Sequence, residues 1–176
     1  TIKLGADIDL ASQEWTPIHF SGSGAVFDGQ GHTISNLSIQ NQSLSRCGLF
    51  GSVGSSVTVS NLTLRDVNVL GDYSVGAIAG SLYDERWYDG RVESPHIINC
   101  SVIDGTVEGN EQVGGFIGFA SSGSQILHCI SNVTVIGDFS VGGFIGDGGG
   151  IIHSCTVTSS ITGSNVVGGL IGYAGE

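Results

Sequence analysis

Basic residues are scarce in this 176-residue chain: five Lys and Arg stand against 16 Asp and Glu, for a formal net charge of −11. A surface of that sign repels a phosphate backbone, so nucleic acid is excluded as a partner and an anionic membrane surface is disfavoured. Long apolar runs are missing too. Stretches such as Val141–Gly146 are far short of the ~20 residues that cross a bilayer, and no membrane insertion is expected. The chain opens Thr1-Ile2-Lys3 with no apolar leader, and methionine is absent throughout. That fits a processed mature chain or a piece of a longer one. No Cys-x-x-Cys spacing and no close histidine pair occurs, so neither a metal nor a cofactor is expected. Proline occurs only twice. A sustained 3.6-residue period with helix caps is also missing, which argues against helices.

Glycine and small β-branched residues fill the space. Glycine accounts for 30 residues, and 40% of the chain is hydrophobic, enough for a core and against disorder. One motif recurs five times. It reads Gly48-Leu49-Phe50-Gly51, Val75-Gly76-Ala77-Ile78-Ala79-Gly80, Val113-Gly114-Gly115-Phe116-Ile117-Gly118, Val141-Gly142-Gly143-Phe144-Ile145-Gly146 and Val167-Gly168-Gly169-Leu170-Ile171-Gly172. The closing glycines lie 29, 38, 28 and 26 residues apart. The period is therefore about 27, with an insertion in the second interval. A second recurrent segment runs Asn61-Leu62-Thr63-Leu64, Asn99-Cys100-Ser101-Val102, His128-Cys129-Ile130-Ser131 and Ser154-Cys155-Thr156-Val157, with the third and fourth copies one residue shorter downstream.

Short alternating segments such as Asn132-Val133-Thr134-Val135, separated by Gly and Ser, read as strands. Three strands and three turns fill about 27 residues, the size of one coil of a parallel β-helix. Glycine at fixed coil positions would let the backbone bend with positive φ or pack closely. The expectation is an elongated all-β solenoid, a single domain over residues 1–176. Residues 1–47 form a distinct N-terminal segment, and residues 48–176 form the repeats, with an inserted loop over 82–95. A β-sandwich or propeller is the competing architecture, disfavoured because tight hairpin signals are scarce.

The five motifs resemble the GLUG repeat, whose Gly-Leu-any-Gly core is matched by Gly48-Leu49-Phe50-Gly51 and Gly169-Leu170-Ile171-Gly172. Gly115-Phe116-Ile117-Gly118 has Phe for Leu. The N-terminal segment is similar to the region that precedes such repeats, through Ala6-Asp7-Ile8-Asp9-Leu10, Trp15-Thr16-Pro17-Ile18 and Phe27-Asp28-Gly29-Gln30-Gly31-His32-Thr33-Ile34-Ser35-Asn36-Leu37. The resemblance implies a right-handed β-helix in an extracellular or cell-surface protein, of adhesin type or from the non-catalytic part of IgA1-specific metallopeptidases. It implies no catalytic residue. The long insertion and the cysteine column depart from the pattern.

Cys100, Cys129 and Cys155 share the position of Leu62, which marks an apolar ladder. Stacked Cβ atoms lie a strand spacing apart, too far for an easy disulfide, so reduced core thiols are expected, and Cys47 is expected buried and unpaired. His32 is expected to hydrogen-bond a turn and His128 to face solvent. Asp66 and Asp104 share a column but have uncharged counterparts, so they read as solvated turn acids. Asp7 and Asp9 alternate on a strand, yet too few oxygen ligands accompany them for Ca²⁺. The insertion carries Tyr83, Asp84, Glu85, Trp87 and Tyr88, aromatic faces beside carboxylates that could hold a sugar or a partner surface. Five Asn-x-Ser/Thr sequons, at Asn36, Asn41, Asn61, Asn99 and Asn132, are candidate glycosylation sites.

The expected function is a non-enzymatic extracellular structural domain, an adhesin-type stalk or surface-fibre subunit that binds a cell-surface glycan or protein. Because no cap follows Tyr173-Ala174-Gly175-Glu176, head-to-tail self-stacking is a further expectation. The alternatives are an accessory module of a secreted peptidase or carbohydrate-active enzyme, and a carbohydrate-active enzyme in its own right.

Overall fold

In a computed structural model that describes residues 1–83 and 94–175, the chain winds into about six coils with a mean spacing of about 29 residues. The spacing exceeds the expected 27 because two of the coils carry extra residues. All ladders between coils are parallel, and the described residues contain no helix. Three sheets run along the axis. The first stacks Ile2–Lys3, Val26–Asp28, Thr58–Ser60, His96–Ile98, Gln125–Leu127 and Ile151–His153. The third stacks Ile18–Phe20, Phe50–Val53, Ala79–Leu82, Ile117–Ala120, Ile145–Gly148 and Ile171–Tyr173. The second is the longest, with Ile130–Gly142 and Ser160–Gly168 among its ten strands. Six rungs at ~4.8 Å rise about 29 Å along the axis.

In-register stacking places like over like. Phe27, Val59, Ile97 and Ile126 form one buried file. Phe50, Ala79, Ile117 and Ile145 form another. The fourth residue of the Val-Gly-Gly-Phe-Ile-Gly motif builds an inner file in which Phe116 and Phe144 stack with ring centroids 4.7 Å apart. Each such side chain contributes roughly 1.5–3 kcal/mol by leaving water. The file of Val102 and Val157 is interrupted by Ser131, which is fully buried. Its hydroxyl lies 3.0 Å from the Gly143 carbonyl and 3.1 Å from Ser159 Oγ, so the polar atom is satisfied.

The cysteines form the expected file: Cys100 and Cys129 are buried, Cys155 is half-buried, and all four thiols are free. The Cys129 thiol is pushed up to about 12, first by its hydrogen bond with the Cys100 thiol. Burial pushes Cys47 up to about 12 as well. The one-residue difference between repeat copies becomes a β-bulge. Asp104 and Gly105, both at positive φ, stand where Ile130–Gly142 has one residue fewer. Asp66 takes the same left-handed conformation, and Asp104 reaches Arg65 at 3.3 Å in solvent.

The glycine motif works by close approach. Apart from Gly48, its glycines do not carry the positive φ; the residue just before each Val-Gly pair does, at Ser74, Gln112, Ser140 and Val166. A Cβ on Gly118 would meet the Ser74 carbonyl carbon and lie 2.5 Å from Val75 N and 2.6 Å from Gly80 O, all backbone atoms of the preceding coil. Gly146 and Gly172 are pinned in the same way by Gln112–Val113 and Ser140–Val141.

Leu82, the first residue of the expected insertion, is a fully buried strand residue, and Ser94 is buried. Asp84, Glu85, Trp87 and Tyr88 lie outside the described residues.

Candidate functional site

The left-handed residues Ser74, Gln112, Ser140 and Val166 form a corner within the second sheet, bending its strands shortly before the chain passes into the third. In a straight strand, residues two apart share a face. Here Tyr73 is 41% exposed while Val75 is fully buried, because the turn at Ser74 breaks the alternation. Tyr73, Glu111, Phe139 and Asn165 therefore stack as an outer file on one wall. On the other wall, the residue after each closing glycine stacks as Ser81, Phe119, Asp147 and Tyr173.

Between the walls lies a groove of about 280 Å³ lined by Arg46, Tyr73, Ser74, Ser81, Tyr83, Gln112 and Phe119. Its floor is wired. Ser74 Oγ donates to Gln112 Oε1 at 2.5 Å, and Gln112 Nε2 donates to Asp147 Oδ2 at 2.8 Å. Gln112 is only 6% exposed, so its amide holds one oxygen of Asp147 in place and leaves the other. The Arg46 guanidinium sits 6.0 Å from the centre of the Tyr83 ring, within cation–π range. Burial, with Glu111 and Asp147 nearby, raises the Tyr73 phenol above its ordinary value, so it is a neutral donor at physiological pH. The arrangement offers flat apolar faces, carboxylate and amide acceptors, and one cation.

Of the insertion residues singled out from sequence, Tyr83 alone falls within the described residues, and it lines this groove. The other groove residues escaped the sequence reading. Their signal was present: Arg46 aside, which precedes Cys47-Gly48, each precedes a Val-Gly pair by one or two residues or follows a closing glycine, so aligning the motifs in columns exposes both walls.

The sequons behave differently from one another. Asn36 Nδ2 donates to Asp9 at 2.8 Å, Asn61 Nδ2 to Asp28 at 3.0 Å and Asn99 Nδ2 to Asn61 at 3.3 Å. These amide nitrogens serve ladders between coils. Asn41 and Asn132 are exposed. His32 Nδ1 meets Asp7 Oδ1 at 3.0 Å on the neighbouring coil, and Thr33 N donates to the same oxygen. Asp9 also accepts from Ala11 N. His128 is exposed, with its ring 6.0 Å from that of His153.

Fold and corner together define a parallel β-solenoid that carries a groove along its flank. No protein-family model matches the chain. Over 158 residues, 82% of the chain, it is 28% identical to the immunoglobulin A1 protease of Streptococcus sanguinis. Over 93 residues, 53% of the chain, it is 36% identical to halomucin of Haloquadratum walsbyi. The chain spans only 8% and 1% of those two proteins. The crystal structure of a candidate immunoglobulin A1 protease from Bacteroides ovatus superposes with a TM-score of 0.66, covering 96% of this chain and 63% of that one at 23% identity, which is a likeness of fold.

Proposed function

We propose that this chain is a non-catalytic, extracellular β-solenoid module that gives a larger secreted or surface protein a rigid, decorated flank. The observation that carries the reading is the stack of buried files through the four inner coils of a six-coil solenoid, in a chain that matches small portions of two very long proteins. Immunoglobulin A1 is a secreted antibody, so a protease acting on it works outside the cell, and a solenoid shared with such a protein fits the same setting. The glycine motifs fit the GLUG-like, adhesin-type class on the same grounds. Copies stacking head to tail would extend the module into a fibre. If the chain is made by a glycosylating host, exposed Asn41 and Asn132 are the positions suited to carry glycans.

Two measurements test this. The purified chain, incubated with immunoglobulin A1, should leave it intact; specific cleavage by this chain would refute the non-catalytic reading. Antibodies raised against it should label intact producing cells or their medium, and labelling confined to lysed cells would refute the location.

A further inference from the structure

We propose that the corner groove binds an extended, uncharged polysaccharide lying along the solenoid axis. This deepens the reading above by naming a partner, and it rests on that reading only for access to the ligand.

The walls alternate by rung. The coil of Tyr73 places an aromatic on the second-sheet wall, facing Ser81. The next coil places Phe119 on the third-sheet wall, facing Glu111. The groove is lined mainly by these two coils; beyond its lining the same files continue, with Phe139 on the second-sheet wall and Asp147 on the third-sheet wall of the coil after that. The last described coil pairs Tyr173 with Asn165. Four successive rungs thus carry one ring and one polar group each, with the sides exchanged at every step. Single exposed apolar residues are ordinary on a protein surface. Here Phe139 is 44% and Tyr173 51% exposed, and with Tyr73 and half-buried Phe119 they follow a strict alternation through four coils.

On either wall the rings recur every two rungs, about 9.6 Å. An extended pyranose chain whose successive rings turn over presents an apolar face to alternate sides, and its two-ring repeat is close to this length. Facing each aromatic is a hydroxyl, carboxylate or amide able to take sugar hydroxyls. Gln112, buried and tied to Ser74 and Asp147, fixes one such acceptor before any ligand arrives. That preorganisation lowers the cost of binding. The net charge of −11 argues against a polyanion. A polyproline-II peptide repeats every ~9.3 Å and also docks on aromatic grooves, so spacing does not separate the two. The polar partners do. An acceptor on successive rungs suits a ligand dense in hydroxyl donors, whereas a proline-rich segment offers few N–H groups.

The test is calorimetric titration of the purified chain with six-residue oligomers of β-1,4-linked glucose, xylose, mannose and N-acetylglucosamine, each beside its disaccharide and beside a proline-rich decapeptide. At least one hexamer should bind at millimolar concentration or better, and its disaccharide at least about tenfold more weakly. Phe119→Ala and Phe139→Ala should each weaken the hexamer about tenfold or more. Phe139 is exposed, so its variant keeps the test alive if Phe119→Ala fails to fold. Silence from all four hexamers, binding indifferent to both substitutions, or binding of the peptide alone would overturn the proposal. Melting curves on the same samples read the solenoid separately. Shortening of a bound hexamer would leave the groove standing and overturn the non-catalytic reading instead.

Discussion

Gly118→Ala tests whether close approach, and not conformational freedom, fixes the glycine motif. The added methyl would lie about 2.5 Å from Val75 N and Gly80 O and against the Ser74 carbonyl carbon, all main chain and unable to rotate away. Relief to ordinary contact requires the coils of Gly80 and Gly118 to part by about 1 Å at this corner, since apolar atoms rest near 3.5–4.0 Å. Phe116 O accepts from Ile78 N at 3.0 Å and already more loosely from Ala79 N at 3.4 Å, so parting breaks at least one buried hydrogen bond. A buried backbone group left unpaired costs about 1–3 kcal/mol, and overpacking about 1–3 kcal/mol. A net loss of about 3 kcal/mol follows, or roughly 6–12 °C in Tm for a chain of this size. Gly149→Ala is the control, because its Cβ would meet nothing within 4 Å. Circular dichroism melts and urea titrations of both variants decide the matter. A Gly118→Ala melt within about 2 °C of the control would refute the close-approach account.

The carboxyls of Asp7, Asp9 and Asp28 are held below their ordinary 3.8 by hydrogen bonds from Thr33, Asn36 and Asn61 respectively. Because the folded values are the lower ones, their stabilisation is complete above the unfolded value and is lost as pH falls through the folded values. Tm should therefore be level down to about pH 4 and drop below it, and Asp28→Asn should flatten that drop. Val166 is β-branched yet sits at φ +53° and is 40% exposed, so Val166→Asn should relieve strain and raise stability by about 1 kcal/mol in a urea titration. Cys47, Cys100 and Cys129 are buried, and the raised Cys47 and Cys129 thiols are poor nucleophiles, so the three should resist an aromatic disulfide reagent in the native chain and react at once in urea, with half-buried Cys155 reacting first; fast native reaction of all four would contradict the buried file.

The coil was legible in the sequence because stacking repeats chemistry at each turn. Leu62, Cys100, Cys129 and Cys155 declare one file by substitution alone, and the shortened third and fourth copies mark where the bulge at Asp104–Gly105 ends. Two things were not legible. The positive φ sits on Ser74, Gln112, Ser140 and Val166, residues of unlike character, because the corner constrains backbone more than side chain. A strict two-residue alternation also predicts Tyr73 and Val75 on one face, and the left-handed turn at Ser74 sends them to opposite sides. The groove hid for that reason: its walls are files of dissimilar residues, whose meaning lies in their alternation between coils and not in their identity.

That alternation bears on what such a coil is good for. At about 29 residues per turn and ~4.8 Å per rung, each residue advances the axis by only about 0.17 Å, against about 1.5 Å in an α-helix. A solenoid is thus an inefficient spacer, and a stalk reading requires many more coils or copies stacked end to end. What the coil provides for its length is placement. Every rung sets one residue of each wall at a fixed height, on backbone locked to both neighbours, with no loop entropy lost when a ligand lies down along it. A ligand with its own short axial repeat gains from that placement at every step, and a compact ligand gains from it once. Affinity that climbs with ligand length would therefore mark the flank, and not the reach, as the functional property of this fold.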